Sequence, residues 1–396
     1  MATADPIPVP APAEESSSAP TLVLLAAMPQ EQVEATCAHL AAAFAPDEIL
    51  VAAPESLAPR ANSPLRVIAA PQARPWWTLT AADFVHTAQL VQTHGASAAL
   101  LLGPEADSLA PEALRALADA VAAGSDLAVP SYELPPHAGL VNSAILYPLN
   151  RALFATRPRF PLAVDLGLSA RMAARLALPA LRLVNLKQSE APLWPLSEAA
   201  AAAFHVGEVP AGKRVMPQPA EPDLNTILPL ILSSLFADVE AKAPFWQRPR
   251  PLPPARSPIA SSRSQNDAAS DTASMVQAFK LGYGNLLEIW SLVLPPNTLL
   301  GLKRLSQLEA PEFTLPHNLW ARIVYDFLMA WRLRTLNRSH LLGAMIPLYL
   351  AWVASHIHNT LSGSTAEQHV EAVAGAFESE KPYLVARWRW PDRFNP

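Results

Sequence analysis

Cysteine is nearly absent: Cys37 stands alone among 396 residues. That excludes an internal disulfide and any zinc site built on several thiolates. Glycine is scarce as well, at 13 residues. A backbone that wraps phosphates needs closely spaced glycines, and neither a GxGxxG nor a GxxxxGK[ST] string occurs. Charge is thin, 16% of residues, and 29 Lys and Arg against 34 Asp and Glu leave a net −5 with no long basic run. This argues against nucleic acid as a partner. Apolar runs are short: Leu341–Val353 is almost wholly apolar but falls below the ~20 residues that cross a bilayer, so no transmembrane segment is predicted. What the chain does have is apolar residues, 51%, and proline, 42 residues, about double the usual ~5% share. The length suffices for two domains of ordinary size.

Residues 1–20 are rich in Ala, Pro, Ser and Glu, with neither the basic start nor the apolar centre of a secretory signal, and read as a disordered tail of a cytoplasmic protein. From Thr21 short apolar runs alternate with helical periodicity. Leu22–Leu25, Glu48–Ala52, Arg66–Ala69, Ala98–Leu102 and Asp126–Pro130 read as strands. Gln30–Phe44 and Trp76–Gly95 read as helices, the second stopped at His94-Gly95. Ser108 is a candidate N-cap for a helix with Pro111 in its first turn. This alternation predicts an α/β fold, a mostly parallel sheet with helices on both faces. Further on, a helix is expected over 168–177, a weak strand over Leu181–Leu186, a helix over Leu193–Phe204, a last strand over His205–Val209 and a long helix from Leu224 to about Ala243. Residues 249–272, rich in Pro, Ser, Arg and Asp, read as a flexible linker between residues 21–248 and an all-helical domain over 273–396. Trp320, Ile323, Val324, Phe327, Leu328 and Trp331 share one helix face and read as core.

In open α/β sheets ligands gather at the C-terminal edge of the strands. Glu105 and Tyr132 both follow strands there. Asp165 sits in Pro161-Leu-Ala-Val-Asp165, an acid among apolar residues, where a carboxylate is either hydrogen-bonded to a helix start or functional. Each candidate has a plainer reading: Glu105 as a solvated acid beside a helix start, Asp165 as an N-cap, Asn142 as a helix cap, Tyr132 as a rim aromatic, Lys213 and Arg214 as solvated turn residues. His356 and His358 point to different helix faces, which argues against a zinc pair.

Four segments resemble the GT-A glycosyltransferases, in particular the retaining group of mannosylglycerate synthase and glucosyl-3-phosphoglycerate synthase. Glu105–Glu112 is similar to that family's acidic motif and proline-started helix, and Gly139–Pro148 to its acceptor-side helix. Pro161–Asp165 resembles its Pro-Leu-Ala-Gly-acid loop, and Phe204–Lys213 the strand and turn before its metal histidine. The helices around Pro347–Ser355 are similar to those of bacterial members. The resemblance implies a GT-A-like domain followed by a helical domain. It implies a nucleotide-sugar donor, a hydroxyl acceptor, small or lipid-linked, and Mg²⁺ or Mn²⁺ on the diphosphate, where hard cations take carboxylate oxygens. It places Glu105 on the diphosphate side, as a weak metal candidate, with Asn142, Tyr132 and Lys213 as substrate contacts and Asp165 as the catalytic group. The chain departs from the family pattern at the metal. The tripeptide aligned with Asp-x-Asp is Gly103-Pro104-Glu105, no Asp-x-Asp occurs, and Val215 stands where the metal histidine would be. This degenerate motif puts metal dependence in doubt and keeps two functions open: a hexosyltransferase, or a non-catalytic relative serving as a binding or scaffold subunit. A homo-oligomer is compatible with either.

Overall fold

The computed structural model describes residues 19–25, 28–54, 64–71, 77–162, 164–218, 223–251, 272–361 and 365–391. Almost all of the expected tail and of the expected linker lies outside them. Seven strands form one sheet in the order β3-β2-β1-β4-β6-β5-β7. They are β1 (Thr21–Leu25), β2 (Ile49–Pro54), β3 (Arg66–Ala70), β4 (Ala98–Leu102), β5 (Leu127–Glu133), β6 (Asp165–Ser169) and β7 (Val206–Lys213). The pairs β1–β2, β1–β4, β2–β3 and β5–β7 are parallel, whereas β6 runs antiparallel between β4 and β5. The central strands are continuous apolar runs because helices cover both faces; every residue of Ala98–Leu102 is buried.

The covering helices are α1 (Gln30–Ala43), α2 (Ala81–His94), α3 (Pro111–Ala122), α5 (Ala170–Asn185) and α6 (Pro195–Ala201), whereas α4 (Tyr147–Phe154) packs into a second, helical core. The α2 helix stops at Gly95, in the left-handed region at φ 62°, as the His94-Gly95 pair predicts. Three local expectations are corrected. Ser108 is not a helix cap: α3 begins at Pro111 behind Ala110, and Ser108 lies in a preceding turn. Asp165 opens a strand rather than capping a helix; the cap of α5 is Ser169, whose hydroxyl accepts from Met172 N at 3.2 Å. Leu181–Leu186 is no strand, because α5 runs through Pro179 to Asn185 on a sequence of strong helix formers that bury Met172, Ala173, Leu176 and Ala180.

A second core is helical. It joins residues 144–162 to α7 (Leu224–Ala241), α8 (Ala243–Trp246), α9 (Thr272–Val293), α10 (Pro296–Ser306), α11 (His317–Leu333), α12 (Arg338–Leu361) and α13 (Ala366–Arg389). Trp246, Trp290, Trp320 and Trp352 are fully buried in it. Its polar ties reach the α4 region: Trp320 Nε1 donates to Ala144 O at 2.8 Å, and Arg151 pairs with Glu378 at 2.6 Å. Helices α7 and α12 are each long and apolar enough to cross a membrane by length and composition, but most of the apolar window of α12 is buried against its neighbours.

Candidate functional site

The C-terminal ends of β4, β5 and β7 and the first residue of β6 meet at one edge of the sheet. Asp165 sits in register with Leu102, the last residue of β4. The chain reaches this register only because Gly103 has no side chain: a Cβ there would lie 2.8 Å from Val164 O. On the far side Tyr132 and Glu133 of β5 pair with Gly212 and Lys213 of β7, so the next residue, Arg214, turns in over the strand ends.

Asp165 and Arg214 both have fully buried side chains and face each other as a two-pronged pair. Arg214 Nε donates to Asp165 Oδ2 at 2.9 Å and Nη2 to Oδ1 at 3.2 Å. Asp165 also accepts from Gly103 N at 3.1 Å and from the Tyr132 hydroxyl at 2.9 Å. The rest of the guanidinium meets the loop after β4. Nη2 donates to Pro104 O at 2.7 Å, and Nη1 to Glu105 O, to Val215 O at 2.9 Å and to Ser108 Oγ at 3.1 Å. A guanidinium carries five N–H donors, and these contacts engage every one of its nitrogens. Burial works against the charge of Arg214, but the Asp165 carboxylate outweighs it and the pKa is raised. Burial, followed by the Asp165 charge, pushes the Tyr132 phenol well above its ordinary range.

Glu105 lies at the rim of this arrangement, half-buried and in the left-handed region at φ 62°, a conformation that is strained for a side chain with a Cβ. Gln32 at the start of α1 holds it from both ends: Glu105 N donates to Gln32 Oε1 at 3.1 Å, and Gln32 Nε2 to Glu105 Oε1 at 2.7 Å. Two residues on, Asp107 Oδ1 is buried without a hydrogen-bond partner among the described residues.

The other sequence-derived candidates are placed as follows. Tyr132 is no rim aromatic but 1% exposed, with its ring 5.2 Å from that of Phe160. Asn142 is buried in a π-helical turn, where its Oδ1 accepts from Leu162 N at 3.2 Å and so pins the segment that leads to Asp165. Lys213 is exposed at the end of β7. His356 is buried and its Nδ1 lies 2.8 Å from Nδ1 of His369, away from His358. Glu105, Tyr132 and Asp165 thus border one edge, joined by Arg214. Gln32, Ser108 and Asp107 were not singled out as site residues by sequence reasoning, and Arg214 was weighed there only beside Lys213 as a turn residue. One signal pointed to Arg214: a carboxylate embedded in apolar residues needs a cation or several donors nearby, and Arg214 follows the last strand.

No family model matches the sequence, and no curated protein sequence matches it. Solved structures do. Glucosyl-3-phosphoglycerate synthase from Mycobacterium tuberculosis, crystallised with phosphoglyceric acid, is 15% identical over 56% of this chain and 79% of its own, at a TM-score of 0.36. The same enzyme with Mn²⁺, UDP-glucose and phosphoglyceric acid gives 14% identity, the same coverages and a TM-score of 0.37. A further mycobacterial protein gives 14% identity over 56% of this chain and 74% of its own, at 0.38. Likeness this distant carries no argument about activity, and the residues themselves must.

For a divalent ion the residues present fit poorly. Among the described residues no three His, Cys, Asp or Glu side chains converge on a metal-sized site. Oxygens that could join Glu105 at this edge, the carbonyls of Pro104 and Glu105 and both carboxylate oxygens of Asp165, already face the Arg214 guanidinium. A second cation there would meet that charge.

Proposed function

We propose that this chain is a GT-A glycosyltransferase relative that has kept the sheet and lost the transfer reaction, and that it serves as a binding or scaffold subunit, for instance of a partner glycosyltransferase. The observation that carries this reading is the buried Arg214–Asp165 pair. Transfer from a nucleotide sugar needs positive charge aimed at the leaving diphosphate and an acid or hydrogen-bonding group at the sugar. Here the chain's own cation is directed inward, its donors are engaged by protein oxygens, and the acid that would face the sugar neutralises it. Glu105, Asn142, Tyr132 and Lys213 then act as structure around the pair or, for Lys213, as a surface cation.

A second reading is a metal-poor hexosyltransferase that keeps its donor at the rim. Two observations favour it: the strained backbone at Glu105 and the unpartnered buried oxygen of Asp107. Strain of that kind gathers at functional sites.

The test is a transfer assay on the purified chain, with UDP- and GDP-hexoses, Mg²⁺ or Mn²⁺, and phosphorylated and lipid-linked hydroxyl acceptors. Nucleotide diphosphate release at the rate of spontaneous hydrolysis supports the scaffold reading. Acceptor-dependent release that is lost in Glu105→Gln would replace it with the second.

A further inference from the structure

The side of α5 that faces away from the sheet combines apolar and basic residues. The helix packs by Met172, Ala173, Leu176 and Ala180. Its opposite face presents Ala174, Leu178 and Leu181 at helical spacing, with Arg171, Arg175 and Arg182 as the adjoining ridge. Leu178 is 55% exposed, Leu181 42%, and Leu186, just past the helix end, 68%. Lys187 follows, at φ 60°. No Asp or Glu occurs from Ala170 to Ser189, in a chain whose net charge is −5. Arg171 and Arg175 lean on Asp126 and Glu198, whereas Arg182 and Lys187 meet no carboxylate among the described residues.

We propose that this face docks the chain on an anionic lipid surface. Exposed leucines beside unpaired cations are what a helix lying in the headgroup layer requires: the leucines enter the acyl boundary and the cations meet lipid phosphates. The long stems of Arg182 and Lys187 let their heads reach those phosphates while Leu178 and Leu181 are submerged. Charge separates this face from that of α9. Helix α9 also exposes leucines, Leu281 and Leu292, but Glu288 is exposed on it and its Lys280 is paired with Glu309, so it offers no attraction to an anionic surface. The proposal holds for a catalytic or a non-catalytic chain.

Co-sedimentation of the full chain with vesicles tests it, using phosphatidylcholine alone or mixed with phosphatidylglycerol. The wild type is expected to pellet with the phosphatidylglycerol vesicles, to stay in solution with phosphatidylcholine, and to be released by high salt. Arg182→Glu with Lys187→Glu should weaken binding at least ~25-fold, at about fivefold for each cation lost near the surface. Leu178→Ser with Leu181→Ser should weaken it as well, while Leu281→Ser with Leu292→Ser should not. All of these side chains are at the surface, and an unchanged urea midpoint will show that each variant is folded. A wild type that ignores phosphatidylglycerol vesicles overturns the proposal, including the case in which the face instead captures an acidic protein. Charge and leucine variants that bind like the wild type overturn it equally.

Discussion

Substituting Asp165 or Arg214 should cost far more stability than either position suggests in the sequence. Asp165→Asn keeps one carbonyl oxygen for Gly103 N but turns an amide N–H₂ toward guanidinium N–H groups, and it leaves the Arg214 charge buried without a counter-ion. Arg214→Met leaves the Asp165 carboxylate with only Gly103 N and the Tyr132 hydroxyl as donors, and it orphans the carbonyl of Pro104, whereas Glu105 O keeps Ser108 N and Oγ as donors. Breaking a buried pair from one side costs about 3–5 kcal/mol, and each single change should fall in that range. The double variant Asp165→Leu with Arg214→Met removes both charges, and its remaining cost is that of the orphaned carbonyl, amide and hydroxyl groups at about 1–3 kcal/mol each. It should therefore be less damaging than the sum of the singles by about 2 kcal/mol or more. Urea unfolding followed by tryptophan fluorescence measures all four corners of the cycle. Single variants within about 0.5 kcal/mol of the wild type, or a double variant that is additive to that margin, would refute a buried, mutually dependent pair. They would indicate an arginine free to leave its place for a ligand.

Burial lowers His356 to about 4 and His369 to about 3, against about 6.5 for a histidine in an unfolded chain. The unfolded state therefore takes up more protons below pH 6.5, so the stability is fully present above that pH and is lost as pH falls toward 4. Between pH 7 and 5 urea unfolding should lose about 2 kcal/mol per histidine, and His369→Gln should flatten that slope. Titration calorimetry with Mn²⁺ in the absence of nucleotide should show no micromolar site, and a site abolished by Glu105→Ala would contradict the placement of Arg214. Limited proteolysis within the Pro/Ser-rich segment 249–272 should give two fragments that co-elute on gel filtration. Trp246 before the cut and Trp388 after it stack edge-on at 4.9 Å in one core, and fragments that separate would refute that shared core.

Much of the sheet was legible because its strands are buried on both faces and therefore read as apolar runs too short for helices, Ala98–Leu102 above all. The reversal at β6 was not. Asp165-Leu-Gly-Leu-Ser169 has the composition of a loop entering a helix, and its pairing depends on contacts distant in sequence, the bare Cα of Gly103 and the groove between β4 and β5. The extension of α5 past Pro179 was hidden for a related reason, since a proline marks a boundary in local terms while packing carries the helix through. At the site Glu105 and Asp165 could be found, but the pairing of Asp165 with Arg214 could not. Asp165 drew notice as a charge among apolar residues, but whether such a charge meets a ligand or an internal cation is settled in three dimensions. Arg214 in the sequence is one more basic residue after a glycine-containing turn; only the parallel register of β5 and β7 swings it over the strand ends.

The central claim, that this edge of the sheet is closed by the chain's own ion pair, is tested most directly by titrating UDP-glucose and GDP-mannose into the protein with Mn²⁺ while following thermal unfolding. A donor at a hundred times its dissociation constant would stabilise the fold by about 2.7 kcal/mol. The account predicts no shift at millimolar donor for the wild type. A saturable upward shift that needs the metal and disappears in Glu105→Gln would contradict it and show a working donor site.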